Sequence, residues 1–235
     1  MAGPTIAFDL DGTLVDTAPD LIETLNLILG RHDVPPVGIA AARGMIGAGV
    51  KPLLQRALAS KGLAFPPEQI DGLYEEYLAL YAEHIADRSR PFPGVERALD
   101  RLAARGCLLA VCTNKLEWLS VRLLQRLDLA GRFAAICGQD TFAVRKPDPE
   151  MLRLTIARAG GADAHAVMVG DSATDVATAR AAGVPVVAVD FGYTEIPPPA
   201  LGADRLISHF DRLVPAIEEL MPARAFSGEV GTGSP

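Results

Sequence analysis

The sequence predicts an α/β protein built on a doubly wound parallel sheet, with an all-helical domain inserted into it. Three observations carry that prediction. Short, almost wholly apolar runs recur along the chain and read as strands buried on both faces. Segments with apolar residues at helical spacing lie between them. One long interval, about residues 18–90, keeps the helical spacing but holds no good strand.

The first strand is Thr5–Phe8, which runs straight into Asp9-Leu-Asp-Gly-Thr13. Residues i and i+2 of an extended chain point the same way, so Asp9 and Asp11 are expected to face one small site. Two carboxylates that close need a cation, a shared proton or water. Leu21, Ile22, Leu25, Ile28 and Leu29 then mark an amphipathic helix, with further helices expected around 53–58 and 70–81. Pro91-Phe-Pro-Gly94 interrupts helix and, with residues 16–18, brackets the insertion. The resulting division is a core of residues 1–17 and 91–224, a cap of 18–90, and a tail of 225–235 that has little to bury and is expected to be mobile. In the second part of the core, Val95, Leu99 and Leu102 form one helical stripe, Leu116, Leu119, Leu123 and Leu127 another, and Leu213, Ile217 and Leu220 a third. Strands are expected at 107–112, 134–137, 166–169 and Val186–Val189, with a weaker one at Arg205–Ile207.

Length and composition agree with a soluble globular chain: 235 residues, about half of them apolar, are enough for a sizeable core. No apolar run approaches the roughly 18 to 20 residues of a membrane span, so no membrane partner is expected. The opening Met1-Ala-Gly-Pro-Thr5 lacks the pattern of an export signal, which makes the cytoplasm the expected location. Cys107, Cys112 and Cys137 lie in or beside apolar runs and read as buried, reduced thiols. A net charge of −7 argues against nonspecific nucleic-acid binding, which needs a basic footprint. A homo-oligomer is compatible with the cap and with exposed strand edges.

Four places along the chain carry candidate chemistry. Asp9 and Asp11 follow the first strand, where open α/β sheets bind ligands; turn-forming acids are the bland reading. Thr113 and Asn114 end the second core strand just before a helix, whose free N–H groups suit phosphate oxygens, or they merely cap it. Lys146 precedes a rigid proline and the Asp148-Pro149 helix start, although most lysines are solvated. Asp171 and Asp175 lie four apart at a strand-to-helix turn, where acids are also common for local reasons. Following successive strands, all four would converge on one rim of the sheet.

With these residues in that order, the chain resembles the phosphatases of the haloacid dehalogenase superfamily, over most of its length and with all four signature motifs. The helical insertion is similar to the cap of the phosphoglycolate phosphatase and β-phosphoglucomutase branch. The resemblance implies a Rossmann-like core and a Mg²⁺-dependent phosphomonoesterase acting on a small phosphorylated metabolite, with 2-phosphoglycolate leading. It casts Asp9 as the nucleophile that becomes an aspartyl-phosphate and Asp11 as the acid/base. Thr113, Asn114 and Lys146 would hold phosphoryl oxygens. Asp9, the Asp11 backbone carbonyl, Asp171 and Asp175 would hold Mg²⁺.

The charges give that assignment a physical reason. Each pair of carboxylates at about 4 Å costs on the order of 4 kcal/mol at an effective dielectric of 20, so three acids facing a phosphate dianion need cations. Mg²⁺ and Lys146 together balance Asp9, Asp171 and Asp175. In the cap, Arg43-Gly-Met-Ile-Gly-Ala-Gly-Val-Lys51 resembles the cap loop of phosphoglycolate phosphatases. Close backbone approach at Gly47 and Gly49, with Arg43 or Lys51 on a carboxylate or hydroxyl, would suit a small acid; a plain helix-to-helix turn is the alternative. Sugar phosphates, pyrophosphate, a β-phosphoglucomutase-like mutase and a phosphoacceptor signalling module remain open readings at this stage, and dehalogenation fits the motifs less well.

Overall fold

A computed structural model describes residues 3–194 and 196–221, and the expected tail at 225–235 lies outside the described residues. The strands, in chain order, are β1 (Thr5–Phe8), β2 (Val15–Asp16), β3 (Arg90–Pro91), β4 (Leu108–Cys112), β5 (Ala135–Cys137), β6 (Ala166–Gly170), β7 (Val186–Val189) and β8 (Arg205–Ile207). Six of them form one parallel sheet in the order β5-β4-β1-β6-β7-β8. The chain builds outward from β1 to one edge, then crosses over to build the other. That reversal opens a crevice at the carboxyl end of β1, where ligands of such sheets bind.

The expected core strands form to within one residue at each end. They are apolar on both faces because both faces are covered. Ile6 and Phe8 pack with Leu99 of α5 (Val95–Ala103), Leu123 of α6 (Glu117–Arg126) and Ile217 of α9 (Leu213–Leu220). Ala7, Ala110 and Met168 face Leu152 of α7 (Pro149–Arg158) and Ala179 of α8 (Ala173–Ala182). The three cysteines are free and buried, and burial pushes the Cys107 thiol up to about 11 and the Cys112 thiol up to about 12, which keeps them unreactive.

Between β2 and β3 lie α1 (Ala18–Arg31), α2 (Ile39–Arg43), α3 (Val50–Ala59) and α4 (Pro67–Glu83). Their apolar stripes meet around Tyr77 and Tyr81, both fully buried, and the Tyr77 hydroxyl donates to the Leu21 carbonyl at 2.9 Å. The two crossings into this helical unit are tied together in a way the sequence does not reveal. Val15 pairs with Pro91 and Asp16 with Arg90 in a short antiparallel ladder, too short to carry a periodic pattern. Beside it the buried Asp20 carboxylate accepts the backbone N–H groups of Arg88 and Ser89 and the Ser89 hydroxyl, at 2.6 to 3.1 Å. Among the described residues no helix is long and apolar enough to cross a membrane.

Candidate active site

β1 ends at Phe8, and the residues just beyond it carry two carboxylates over the carboxyl rim of the sheet. The Asp9 N–H donates to the Val169 carbonyl at 2.9 Å, which extends the β1–β6 pairing by one rung and fixes where the acid stands. Gly12 then turns the chain with φ +84°, a conformation L side chains rarely adopt. A Cβ on Gly12 would lie 2.5 Å from Asp171 Oδ2 and 2.8 Å from the Tyr193 ring, so the turn presses directly on a second acid. The next residue, Thr13, donates its hydroxyl to Asp171 Oδ1 at 3.0 Å.

Asp9, Asp171 and Asp175 converge, each offering one carboxylate oxygen within 4.8 Å of the others, and all three are buried. Each is held separately. Asp171 Oδ2 accepts the Tyr193 N–H at 2.6 Å. Asp175 forms a capping box with Ser172 at the start of α8, its Oδ2 accepting the Asp171 and Ser172 N–H groups and the Ser172 hydroxyl. Its Oδ1 takes the Lys146 ammonium at 2.6 Å, and the same ammonium stands 2.9 Å from Asp9 Oδ1. Lys146 is delivered by the loop before α7, which Asp148 caps by accepting the Glu150 N–H.

Burial raises the Asp9 pKa to about 6, with Lys146 opposing the rise and Asp175 adding to it. Burial also holds Asp171 well above the ordinary carboxylate range, with Asp175 and Asp9 reinforcing it. For Lys146 burial works against the charge, but the Asp175 and Asp9 carboxylates outweigh it and raise its pKa. With all three carboxylates ionised, one ammonium would leave two negative charges in a buried site, so without a further cation the acids are driven toward their protonated forms. The donors are all hard oxygens, which fits a small divalent cation such as Mg²⁺ in both charge and ligand type.

Thr113 and Asn114 lie beyond the end of β4 on the same rim, and both are buried. The Asn114 amide nitrogen donates to the Lys146 carbonyl at 3.2 Å, while its Oδ1 is buried with no hydrogen-bond partner. Lys115 follows. Its ammonium stands 3.0 and 3.2 Å from the two Asp11 oxygens and 2.9 Å from the Tyr81 hydroxyl of α4, so it joins the rim to the helical unit.

Rim and helices enclose a cavity of about 40 Å³, room for on the order of three waters. Asp9, Asp11, Thr113, Asn114 and Lys115 line one side; Leu21, Ile46, Leu53, Tyr74 and Tyr81 line the other. Gly47 and Gly49 reach the cavity with their backbone, but the two cations flanking them do not. Arg43 turns to Asp16, 3.1 Å away at the crossing between core and helices, and lies over the Tyr193 ring. Lys51 pairs with Asp71 at 2.6 Å, half exposed. Arg43 and Lys51, expected to reach a substrate, are each paired here with an acid from another element outside the cavity lining, a partner that sequence spacing does not show.

Lys115, Thr13 and Tyr193 belong to the site without having been singled out from sequence. Lys115 carried a readable signal, a cation directly after the Thr-Asn pair at a strand-to-helix junction. Thr13 lay inside the first motif, but its partner is 158 positions away. Tyr193 sits in no motif, and it reaches Asp171 through its backbone, which no side-chain pattern records.

A family model described as haloacid dehalogenase-like hydrolase matches residues 6–189. A phosphoglycolate phosphatase from Mesorhizobium japonicum is 49% identical over 220 residues, covering 93% of this chain and 96% of that protein. One from Caulobacter vibrioides is 47% identical over 208 residues, covering 88% of each. The crystal structure of a predicted phosphoglycolate phosphatase from Haemophilus somnus superposes with a TM-score of 0.85 at 28% identity, covering 92% of this chain and 98% of that one.

Proposed function

Because the chain belongs to the haloacid dehalogenase-like hydrolase family and is a phosphatase, we propose that it hydrolyses 2-phosphoglycolate through an aspartyl-phosphate on Asp9, with Mg²⁺ at the acidic cluster. The observation that carries this reading is the meeting of Lys146, Asp171 and Asp175 around Asp9, which itself lines a cavity of about 40 Å³.

An Asp9 oxygen attacks phosphorus, and the bond to the leaving oxygen breaks. Asp11, on the same cavity wall, gives that oxygen its proton. In the second half Asp11 takes a proton from water, the water oxygen attacks the phosphorus of the acyl phosphate, and inorganic phosphate leaves with Asp9 restored. Lys146 stays charged throughout, since Asp175 and Asp9 hold its proton, and it faces the phosphoryl oxygens. Thr113 supplies a hydroxyl donor, and Asn114 a backbone N–H, to the same group. Bound Mg²⁺ would be held by Asp9, Asp171 and the Asp11 backbone carbonyl, with Asp175 behind them, and would offset the charge spread over the transferring oxygens. Asp175 acts chiefly by holding Lys146 and the turn, because both of its oxygens already serve those partners.

Residues 18–90 act as the cap that keeps bulk water out while the leaving group is bound. The small, largely apolar cavity they close supports a small phosphorylated substrate. The names of the relatives from Mesorhizobium and Caulobacter point to phosphoglycolate. A screen of small phosphate esters with Mg²⁺ tests this: 2-phosphoglycolate should give the highest kcat/KM. A hexose phosphate or pyrophosphate turned over faster would replace it, and isomerisation of a hexose 1-phosphate would show a mutase.

A further inference from the structure

The cavity has a phosphate end, where Asp9, Thr113 and Asn114 line it, and a far end against the cap. Its cap side carries Leu21, Ile46 and Leu53, which cannot hold a charge. A substrate with a carboxylate beside its phosphate ester needs a cation elsewhere on the cavity wall, since burying an unpaired carboxylate is strongly unfavourable. Arg43 and Lys51 face elsewhere. Among the described residues that line the cavity, Lys115 is the one cation.

We infer that Lys115 reads the substrate's carboxylate and is the residue that selects α-(phosphooxy) acids over neutral phosphate esters. This rests on the substrate reading given above. The geometry fits the task. The Lys115 side chain is 5% exposed, so its charge is little screened. Its ammonium has three N–H donors and faces two partner groups, the Asp11 carboxylate and the Tyr81 hydroxyl. All three donors are engaged, two of them on the two oxygens of the one Asp11 carboxylate at 3.0 and 3.2 Å, so an arriving carboxylate takes one donor by leaving Asp11 with a single bond to Lys115. Tyr81 fixes the ammonium from the cap side, by its hydroxyl at 2.9 Å and by its ring, whose centroid is 4.5 Å away. The carboxylate site is thus complete only when the cap lies against the core, which ties recognition of the acid to closure.

The test compares 2-phosphoglycolate with ethyl phosphate, which has the same ester and no carboxylate, in the Mg²⁺-supplemented full-length enzyme. The wild-type protein should prefer 2-phosphoglycolate. Lys115→Met should lower the ratio of the two kcat/KM values by about 10- to 100-fold, the scale of a lost charge-assisted hydrogen bond in a buried site. Lys115→Arg, which keeps the cation, should restore most of the ratio and serves as the second variant if Lys115→Met does not fold. A fall in both kcat/KM values with the ratio unchanged would mean that Lys115 only positions Asp11, and would overturn the inference while the substrate reading stands. A wild-type enzyme with no preference between the two esters would overturn both.

Discussion

Two lysines show how differently the floor of the cavity and its cap are built. The Lys146 side chain is 2% exposed and locked between Asp9 and Asp175, whereas the Lys51 side chain is 47% exposed and paired with Asp71 outside the cavity. On the floor, charges are buried, multiply bonded and placed by strand ends that the sheet fixes. On the cap, charges sit at the surface, where an ion pair contributes little and is easily exchanged. The floor is therefore expected to carry the chemistry, and the cap to act through shape, apolar walls and closure.

Substitutions on the floor should break this contrast hardest. Asp9→Asn should lower kcat by on the order of 10⁴-fold or more in a p-nitrophenyl phosphate assay, because it removes the attacking oxygen. Near-normal turnover would take the nucleophile's role away from Asp9. Asp11→Asn should cost about 10²- to 10⁴-fold and leave a phosphorylated protein detectable by mass spectrometry, since attack by Asp9 survives while hydrolysis slows. Absence of any adduct under quench conditions would count against the acid/base role.

Gly12→Ala should weaken Mg²⁺ binding by about 10- to 100-fold, because its methyl group would displace Asp171 and strain a turn at φ +84°. Titration calorimetry reads the effect directly, and unchanged affinity would detach Asp171 from the metal. In the metal-free protein Asp9 keeps its proton up to about pH 6, since burial favours its neutral form. Mg²⁺ needs the ionised form, so protons compete as the pH falls. Affinity should drop by on the order of tenfold for one displaced proton between about pH 6 and 5, with Asp171 extending the competition upward. A flat profile would mean that these acids do not bind the ion.

The smallest effects belong to the cap cations. Arg43→Ala and Lys51→Ala should each change KM for 2-phosphoglycolate by less than about threefold, as expected for exposed ion pairs away from the cavity. A tenfold rise in KM would return them to the substrate.

The same contrast explains what could be read from the chain. The sheet was legible because each strand is a short apolar run, and the placing of Asp9, Thr113, Lys146 and Asp171 was legible because each follows such a run or opens the next helix. Which acid holds which cation was not. Arg43 finds Asp16 and Lys115 finds Asp11 and Tyr81 through contacts that form only when distant segments pack. The tie between the two crossings was hidden for another reason: the β2–β3 ladder is too short for periodicity, and Asp20 looks like any acid in the first turn of a helix.

A buried, mutually repulsive set of acids is expected to attack phosphate esters only when a divalent cation balances it. Steady-state turnover of 2-phosphoglycolate by fully chelated protein, before and after Mg²⁺ is returned, tests that most directly. Activity should be lost on chelation and recover on adding Mg²⁺; turnover at an undiminished rate in the chelated protein would mean that the acids work without the ion.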